Sequence, residues 1–349
     1  MPIEAETVEA TLEQMEQKLR GIVPDIEMRY KAELVFEINR LKKERGAIIL
    51  GHNYMEPALF LTVPDVVGDS LELSRKAAET DCDPIVFCGV RFMAETAKIL
   101  SPEKMVLLPA KRAGCSLAES ISAEDVRELR VKFPGVPIVT YINTYADVKA
   151  ECDVCCTSGN AARVVESLDS DVIIFLPDEY LAANTAAETG KKIIFPTRSD
   201  VDAPKHGLQY EMIGWHGRCE VHEKFTVQDI ENVRAQYPDV MVLAHPECSP
   251  EVVAASDFAN STSKMTAAVR ESNAPSFLLL TECSMADNIM AENPDKEMVR
   301  MCSIRCPHMN EITLEDTLNA LKNNVQLIDV PEDIRIRARR SVDRMLEIG

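Results

Sequence analysis

The chain has 349 residues, 46% hydrophobic and 27% charged, which excludes chain-wide disorder and leaves room for two or three domain cores. Asp and Glu number 57 against 38 Lys and Arg, a formal charge of −19 that repels phosphate backbones and anionic lipid, so neither a nucleic-acid nor a membrane partner is expected. No apolar run approaches the roughly 18 residues of a membrane span, and the acidic stretch Met1 to Ala10 lacks a secretory layout, so a cytoplasmic protein is expected.

In chain order, residues 1–45 read as N-terminal helices. Leu12, Met15, Leu19 and Ile22 fall at helical spacing, Pro24 interrupts, and Leu34, Ile38 and Leu41 resume the pattern. A β-rich run ending in a polar cluster follows at Ala47 to Tyr54, again at Ile138 to Asn143, and again at Val240 to Glu247. Each leads to a hydroxyl turn before a helical pattern: Gly68-Asp-Ser70, Thr157-Ser158-Gly159 and Ser261-Thr262-Ser263. A second strand follows in each, at Pro84 to Gly89, Val172 to Pro177 and Ser276 to Thr281, and then another helix pattern. Near the C-terminus, Pro331 precedes an apolar stripe of Ile334, Ile336, Val342, Met345 and Leu346. The basic run Arg335 to Arg340 reads as its solvated face.

The offsets agree. His52 to Tyr141 is 89 residues, Ser70 to Ser158 is 88 and Gly89 to Pro177 is 88, while Tyr141 to His245, Ser158 to Thr262 and Pro177 to Thr281 are each 104. Units of this length hold their own α/β layers, and short continuous apolar runs suit buried parallel strands. The expected fold is α/β: three pseudo-threefold-related, three-layer α/β/α domains with short parallel sheets. Their expected bounds are 46–118 (completed by C-terminal helices 311–349), 119–222 and 223–310. The insertion 197–217, with Trp215, His206 and His216, reads as a lid or a surface excursion, the latter favoured.

Functional groups of open parallel sheets gather beyond the carboxyl ends of the strands. Those ends carry His52 and Tyr54, Tyr141 and Asn143, and His245 and Glu247. Packing around a pseudo-threefold axis would bring these six side chains and the hydroxyls of Ser70, Ser158, Ser261 and Thr262 to one cavity. Singly, each has a structural explanation, since strand-end histidines are often structural and Ser or Thr before a helix caps it. Their register in triplicate points to a shared site.

Of eleven cysteines, three recur near the unit ends: Cys115, Cys219 and Cys306, separated by 104 and 87 residues. Three converging thiolates suit Zn²⁺ with an open fourth position or a [4Fe–4S] cluster with one unligated iron, which acts as a Lewis acid; scattered core cysteines are the competing reading. Cys306 ranks above Cys302 as the third ligand. Cys152-Asp-Val-Cys155-Cys156 has no second pair at zinc-finger spacing and reads as buried structure. Dinucleotide, P-loop, zincin and serine-elbow motifs do not occur.

Gly51 to Tyr54, Gly68-Asp-Ser70, Gly89 to Leu100, Tyr141 to Thr144, Ala146 to Lys149, Cys219 to Phe225, His245 to Cys248 and Ser261-Thr262 together closely resemble quinolinate synthases, from about residue 30 to the C-terminus. The resemblance implies three pseudo-threefold α/β domains and an enzyme of NAD biosynthesis that condenses iminoaspartate with dihydroxyacetone phosphate to quinolinate, releasing phosphate and two waters. It implies one oxygen-sensitive [4Fe–4S] cluster per chain on Cys115, Cys219 and Cys306, and a transient partner supplying iminoaspartate, an L-aspartate oxidase or dehydrogenase. Some relatives carry Cys-x-x-Cys-x-x-Cys at the third ligand. Here Cys302 and Cys306 are separated by three residues, which weakens a paired-cysteine redox role but not the cluster.

Ring construction of this kind needs carbon–carbon bond formation, proton movement beside carbonyls and dehydration. Tyr54 and Glu247 are then the acid–base candidates, with Tyr141 polarising a carbonyl or relaying a proton. His52, Ser70, Asn143, Ser158, His245, Ser261 and Thr262 offer donors to phosphate and carboxylates, with Tyr141 and Glu247 in the same binding set, and His222 and Lys224 face the substrate after Cys219. Two other readings stand beside this one: another [4Fe–4S] hydro-lyase, and a non-catalytic iron–sulfur or zinc sensor.

Overall fold

The computed structural model describes residues 2–196, 209–300 and 304–349. Helices Val8–Leu19 and Asp25–Arg45 open the chain, the second beginning directly after Pro24 and ending at left-handed Gly46, whose φ of 62° suits a residue without a Cβ. Three parallel sheets follow. The first holds β1 (Ile48–His52), β2 (Val66–Gly68), β3 (Ile85–Cys88) and β4 (Val106–Leu107) in the order β2-β1-β3-β4. The second holds β5 (Ile138–Tyr141), β6 (Val154–Cys156), β7 (Ile173–Leu176), β8 (Ile193–Ile194) and β9 (Met212–Ile213) in the order β6-β5-β7-β9-β8. The third holds β10 (Val240–Ala244), β11 (Phe258–Ala259), β12 (Ser276–Leu280) and β13 (Glu297–Met298) in the order β11-β10-β12-β13.

The architecture is α/β with three short parallel sheets, helices covering their faces, and one topology used three times. Every residue of β1, β3, β5 and β7 is buried, as expected for continuous apolar runs without alternation. Strand β8 is the one departure from the common order, and it precedes the insertion. The edge strands β2 and β11 carried no period in the sequence, because two or three residues cannot display one.

A second triplicate device holds each edge strand. Asp65, Asp153 and Asp257 each precede it, and their carboxylates accept from the backbone N–H of Ile49, Ile138 and Val242 at 2.8, 2.7 and 2.8 Å. A cation from the helix before each sheet completes the lock: Lys42 on Asp65 at 2.8 Å, Arg130 on Asp153 at 3.0 Å and Arg234 on Asp257 at 2.9 Å. Each cation also donates to a carbonyl two residues earlier, that of Val63, Glu151 or Ala255. The aspartates keep the 88- and 104-residue offsets.

The units pack head to tail in a ring. Helix Arg91–Leu100 of the first touches helix Ala146–Ala150 of the second, helix Glu179–Glu188 touches Pro250–Ala255 of the third, and helix Cys283–Glu292 returns to Pro57–Phe60 of the first. Helix Leu314–Asn323 lies on β3 and on Asp25–Arg45, while helix Glu332–Ile348 lies across Arg91–Leu100, Ala146–Ala150 and β6. No described helix is long and apolar enough to cross a membrane. Among the described residues, nine cysteines are free thiols and Cys283 is disulfide-bonded. Cys302, His206 and residues 197–208 of the expected lid or excursion lie outside the described residues. Of that segment's described part, Trp215 is half-buried and donates its indole N–H to the Ser120 carbonyl at 3.1 Å.

Candidate active site

The ring places the carboxyl ends of the three sheets around one cavity of roughly 690 Å³, its open mouth included. His52, Tyr54 and Ser70 from the first unit, Tyr141, Asn143, Ser158 and His222 from the second and its following turn, and His245, Glu247 and Thr262 from the third line it. Cys115, Cys219 and Cys306 line the same cavity. Ser261 does not; it is buried beside Gly159, and Thr262 takes the wall position. Lys224 is exposed and outside the cavity.

Two strand ends use one local design. His52 Nδ1 accepts from the Tyr54 backbone N–H at 3.2 Å, and His245 Nδ1 accepts from that of Glu247 at 3.3 Å. An accepting Nδ1 leaves the proton on Nε2, so both rings present an N–H donor. Burial pushes the His52 ring down to about 4 and the His245 ring down to about 3, keeping both neutral near pH 7. Ser158 Oγ lies 3.2 Å from His245 Nε2.

Glu247 is buried and fully engaged. Tyr141 donates its hydroxyl to Oε1 at 2.5 Å, Asn143 Nδ2 donates to Oε1 at 3.3 Å, and His222 Nδ1 donates to Oε2 at 2.7 Å. Burial alone would raise this carboxyl, but the His245 and His222 rings and the Tyr141 hydroxyl hold it well below the usual carboxylate range. Burial and the nearby Glu247 charge push the Tyr54 and Tyr141 phenols well up, so both are protonated at rest.

Thr281, at the end of β12, joins two of these groups. Its hydroxyl lies 3.0 Å from His222 Nε2 and 2.5 Å from Tyr54 Oη. One proton assignment satisfies the whole chain: Tyr54 O–H to Thr281 Oγ1, Thr281 O–H to His222 Nε2, and His222 Nδ1–H to Glu247 Oε2. Thr281 belongs to the strand-end register noted above, and the rule that places sites at strand ends was the signal for it.

The cysteine turns follow β4, β9 and β13. Gly217 anchors the turn before Cys219: its N–H donates to the Pro177 carbonyl at 3.0 Å, and an added Cβ would lie 2.5 Å from that oxygen. Burial pushes the Cys115 and Cys219 thiols well up and that of Cys306 to about 11. Sulfurs held this way ionise only against a compensating positive charge. Among the described residues, the one close-set group of ligand atoms for a single ion is Cys219, His222 and Glu247, all within 4.8 Å. Cys115, Cys219 and Cys306 are not such a group, so as placed they do not match one tetrahedral Zn²⁺ with Zn–S near ~2.3 Å.

Asp69 and Thr157 of the hydroxyl turns also line the cavity, and further lining residues escaped the sequence reading, Met93, Glu220 and His308 among them. Asp69 caps helix Ser70–Glu79 and so sets Ser70 at its first turn, while Thr262 opens helix Thr262–Glu271. Among the described residues, no Lys or Arg lines the cavity. The described wall offers side-chain donors such as Ser70 and Thr262 and the positive ends of those two helices.

The quinolinate synthetase A protein family model matches residues 36–347. Quinolinate synthase 2 of Mesorhizobium japonicum is 49% identical over 342 residues, covering 98% of this chain and 99% of its own length. Quinolinate synthases of Xylella fastidiosa and Agrobacterium fabrum are 51% and 50% identical, over 90% and 95% of this chain and 86% and 90% of theirs. With a triplicate fold, a strand-end cavity and near full-length identity of this order, the chain belongs to the quinolinate synthetase A family of enzymes.

Proposed function

We propose that this cavity condenses iminoaspartate with dihydroxyacetone phosphate to quinolinate, releasing phosphate and two waters, as a step of NAD biosynthesis in the cytoplasm. The observation that carries the reading is the hydrogen-bonded line Tyr54–Thr281–His222–Glu247 set in a cavity shared with three half-buried thiols.

Glu247, held ionised, is a poor proton acceptor; it fixes the His222 tautomer and stabilises the ring when protonated. His222 Nε2 is then the basic atom, and it draws the Tyr54 proton through the Thr281 hydroxyl. Tyr54 Oη becomes the group that removes or returns a substrate proton. Tyr141, whose one hydroxyl proton goes to Glu247 Oε1, turns to a substrate oxygen only when that bond is given up. The Nε2–H donors of His52 and His245, with Ser70, Asn143, Ser158 and Thr262, bind the carboxylates and phosphate.

The donor set suits a [4Fe–4S] cluster on Cys115, Cys219 and Cys306: three half-buried soft sulfurs on one cavity, too widely placed for a single ion. When bound, such a cluster supplies a Lewis-acidic iron toward a substrate oxygen or nitrogen. The second reading is a single metal ion on Cys219, His222 and Glu247, favoured by His222 Nδ1 lying 3.1 Å from Cys219 Sγ and 2.7 Å from Glu247 Oε2. An enzyme supplying iminoaspartate, an L-aspartate oxidase or dehydrogenase, is the partner this chemistry calls for. The test is quinolinate formation from the two substrates by anaerobically purified protein. Tyr54→Phe and Glu247→Gln are each expected to abolish turnover while leaving the fold intact; turnover undiminished in both would overturn the assignment.

A further inference from the structure

The loops that carry Glu247 and Tyr54 are each gripped by an asparagine from a neighbouring unit. Asn184, in helix Glu179–Glu188, donates its Nδ2 to the carbonyl oxygens of Pro246 at 2.8 Å and Cys248 at 2.9 Å. Those carbonyls flank Glu247. Asn288, in helix Cys283–Glu292, donates its Nδ2 to the carbonyl oxygens of Asn53 at 3.1 Å and Met55 at 2.9 Å, which flank Tyr54. The two asparagines are 104 residues apart, the same offset that relates the second and third units throughout.

The first unit supplies the corresponding contact in complementary chemistry. Glu95, in helix Arg91–Leu100, accepts from the Ala146 backbone N–H at 2.8 Å with one oxygen, while Arg91 holds the other at 2.8 Å. Ala146 closes the loop that carries Tyr141 and Asn143. Each unit thus holds the strand-end loop of the next, around the ring.

We propose that Asn184 and Asn288 are positioning residues for the reaction, setting Glu247 and Tyr54 at the two ends of the line through His222 and Thr281. This role rests on the catalytic reading given above. Neither asparagine lines the cavity, so neither touches substrate there. An amide bonded to the carbonyls on both sides of one residue ties that turn to the helix, and the side chain between them cannot swing independently. The amide orientation is dictated, because the reverse would oppose its oxygen to two carbonyl oxygens. For Asn288 this leaves Oδ1 buried without a partner, a cost that an apolar side chain of similar volume would avoid. Simple packing does not explain the choice of residue; two aligned donors do.

The experiment compares Asn184→Ala, Asn184→Asp, Asn288→Ala and Asn288→Asp with wild type, with exposed Glu188→Ala as a control on the same helix. Melting temperature, kcat and KM are measured on anaerobically purified protein, with Tyr54→Phe and Glu247→Gln assayed alongside. A positioning role lowers kcat by about tenfold or more with KM changed little, because a small displacement of reacting groups is felt mainly in the chemical step. The aspartates, closest in shape, are expected to be worse in kcat than the alanines, since a carboxylate repels the two carbonyls; a space-filling role gives the reverse order. Folded alanine variants with wild-type kcat, beside inactive Tyr54→Phe and Glu247→Gln, overturn the clamp alone. Full activity of Tyr54→Phe and Glu247→Gln overturns the catalytic reading and the clamp's role with it. If the aspartates do not fold, the alanine pair decides.

Discussion

Tyr54 and His222 meet on one hydroxyl. Thr281 Oγ1 stands 2.5 Å from the phenol oxygen and 3.0 Å from His222 Nε2, while phenol and ring are themselves 3.4 Å apart. The direct contact is long for a strong hydrogen bond, so the threonine is the effective link between them. Thr281→Val, matched in shape, is expected to lower kcat by roughly 100-fold, the order of a lost general acid–base path. Thr281→Ser is expected to retain most activity. Equal turnover in the two variants, measured at saturating substrate, would remove the link.

Acid sensitivity follows from the two buried rings. His52 and His245 sit at about 4 and about 3 when folded, against 6.5 ordinarily. Below pH 6.5 the unfolded chain therefore binds more protons than the folded one, and stability falls as pH falls. The loss runs from about pH 6.5 down to about 4 for His52 and about 3 for His245, then levels off. Melting temperature recorded between pH 7 and 4 should drop more steeply in wild type than in His52→Gln or His245→Gln. Parallel curves would show that these rings are not neutral in the folded state.

The three aspartate locks differ in burial, and so should their worth. The Lys42 side chain is only 7% exposed, whereas Arg234 and Asp257 are 38% and 45% exposed. Asp65→Ala leaves a buried ammonium without its carboxylate and is expected to cost about 3 kcal/mol. Asp257→Ala loses chiefly the bond to the Val242 N–H, worth about 1 kcal/mol. Shifts in the denaturation midpoint measure both. A larger loss at Asp257 would refute the ranking.

Metal content separates the two donor sets. With a three-thiolate cluster, Cys115→Ser, Cys219→Ser and Cys306→Ser each lose iron and sulfide, about four of each per chain in wild type, while His222→Gln and Glu247→Gln keep them. With a single ion on Cys219, His222 and Glu247, content is about one metal per chain, and it survives Cys115→Ser and Cys306→Ser. Elemental analysis and the absorption spectrum read the difference directly.

Gly217→Ala probes the turn that presents Cys219. The new Cβ would meet the Pro177 carbonyl at 2.5 Å, a backbone atom that cannot rotate away. The expected result is a lower iron and sulfide content at an otherwise folded chain, by circular dichroism. Wild-type content would show that the turn tolerates the displacement.

The amino-acid sequence by itself determined the threefold repeat, the parallel strands and most of the cavity wall. Each of those signals is local: an apolar run, then a polar side chain at its end, recurring at a fixed offset. His52, Tyr141 and His245 were legible because a strand end places its side chain wherever the sheet points. The weaker signals failed for physical reasons. Edge strands of two or three residues carry no period, and the sequence does not single out Asp65, Asp153 and Asp257, because the strand N–H each accepts from lies 15 or 16 residues away in the chain. Ser261 and Thr262 are adjacent hydroxyls, and only the helix start decided which one reaches the wall. The line from Tyr54 through Thr281 and His222 to Glu247 draws on three units, and the grip of Asn184 and Asn288 on their neighbours' carbonyls spans unit boundaries. Such relations depend on distances between segments far apart in the chain, which packing sets and residue order alone does not.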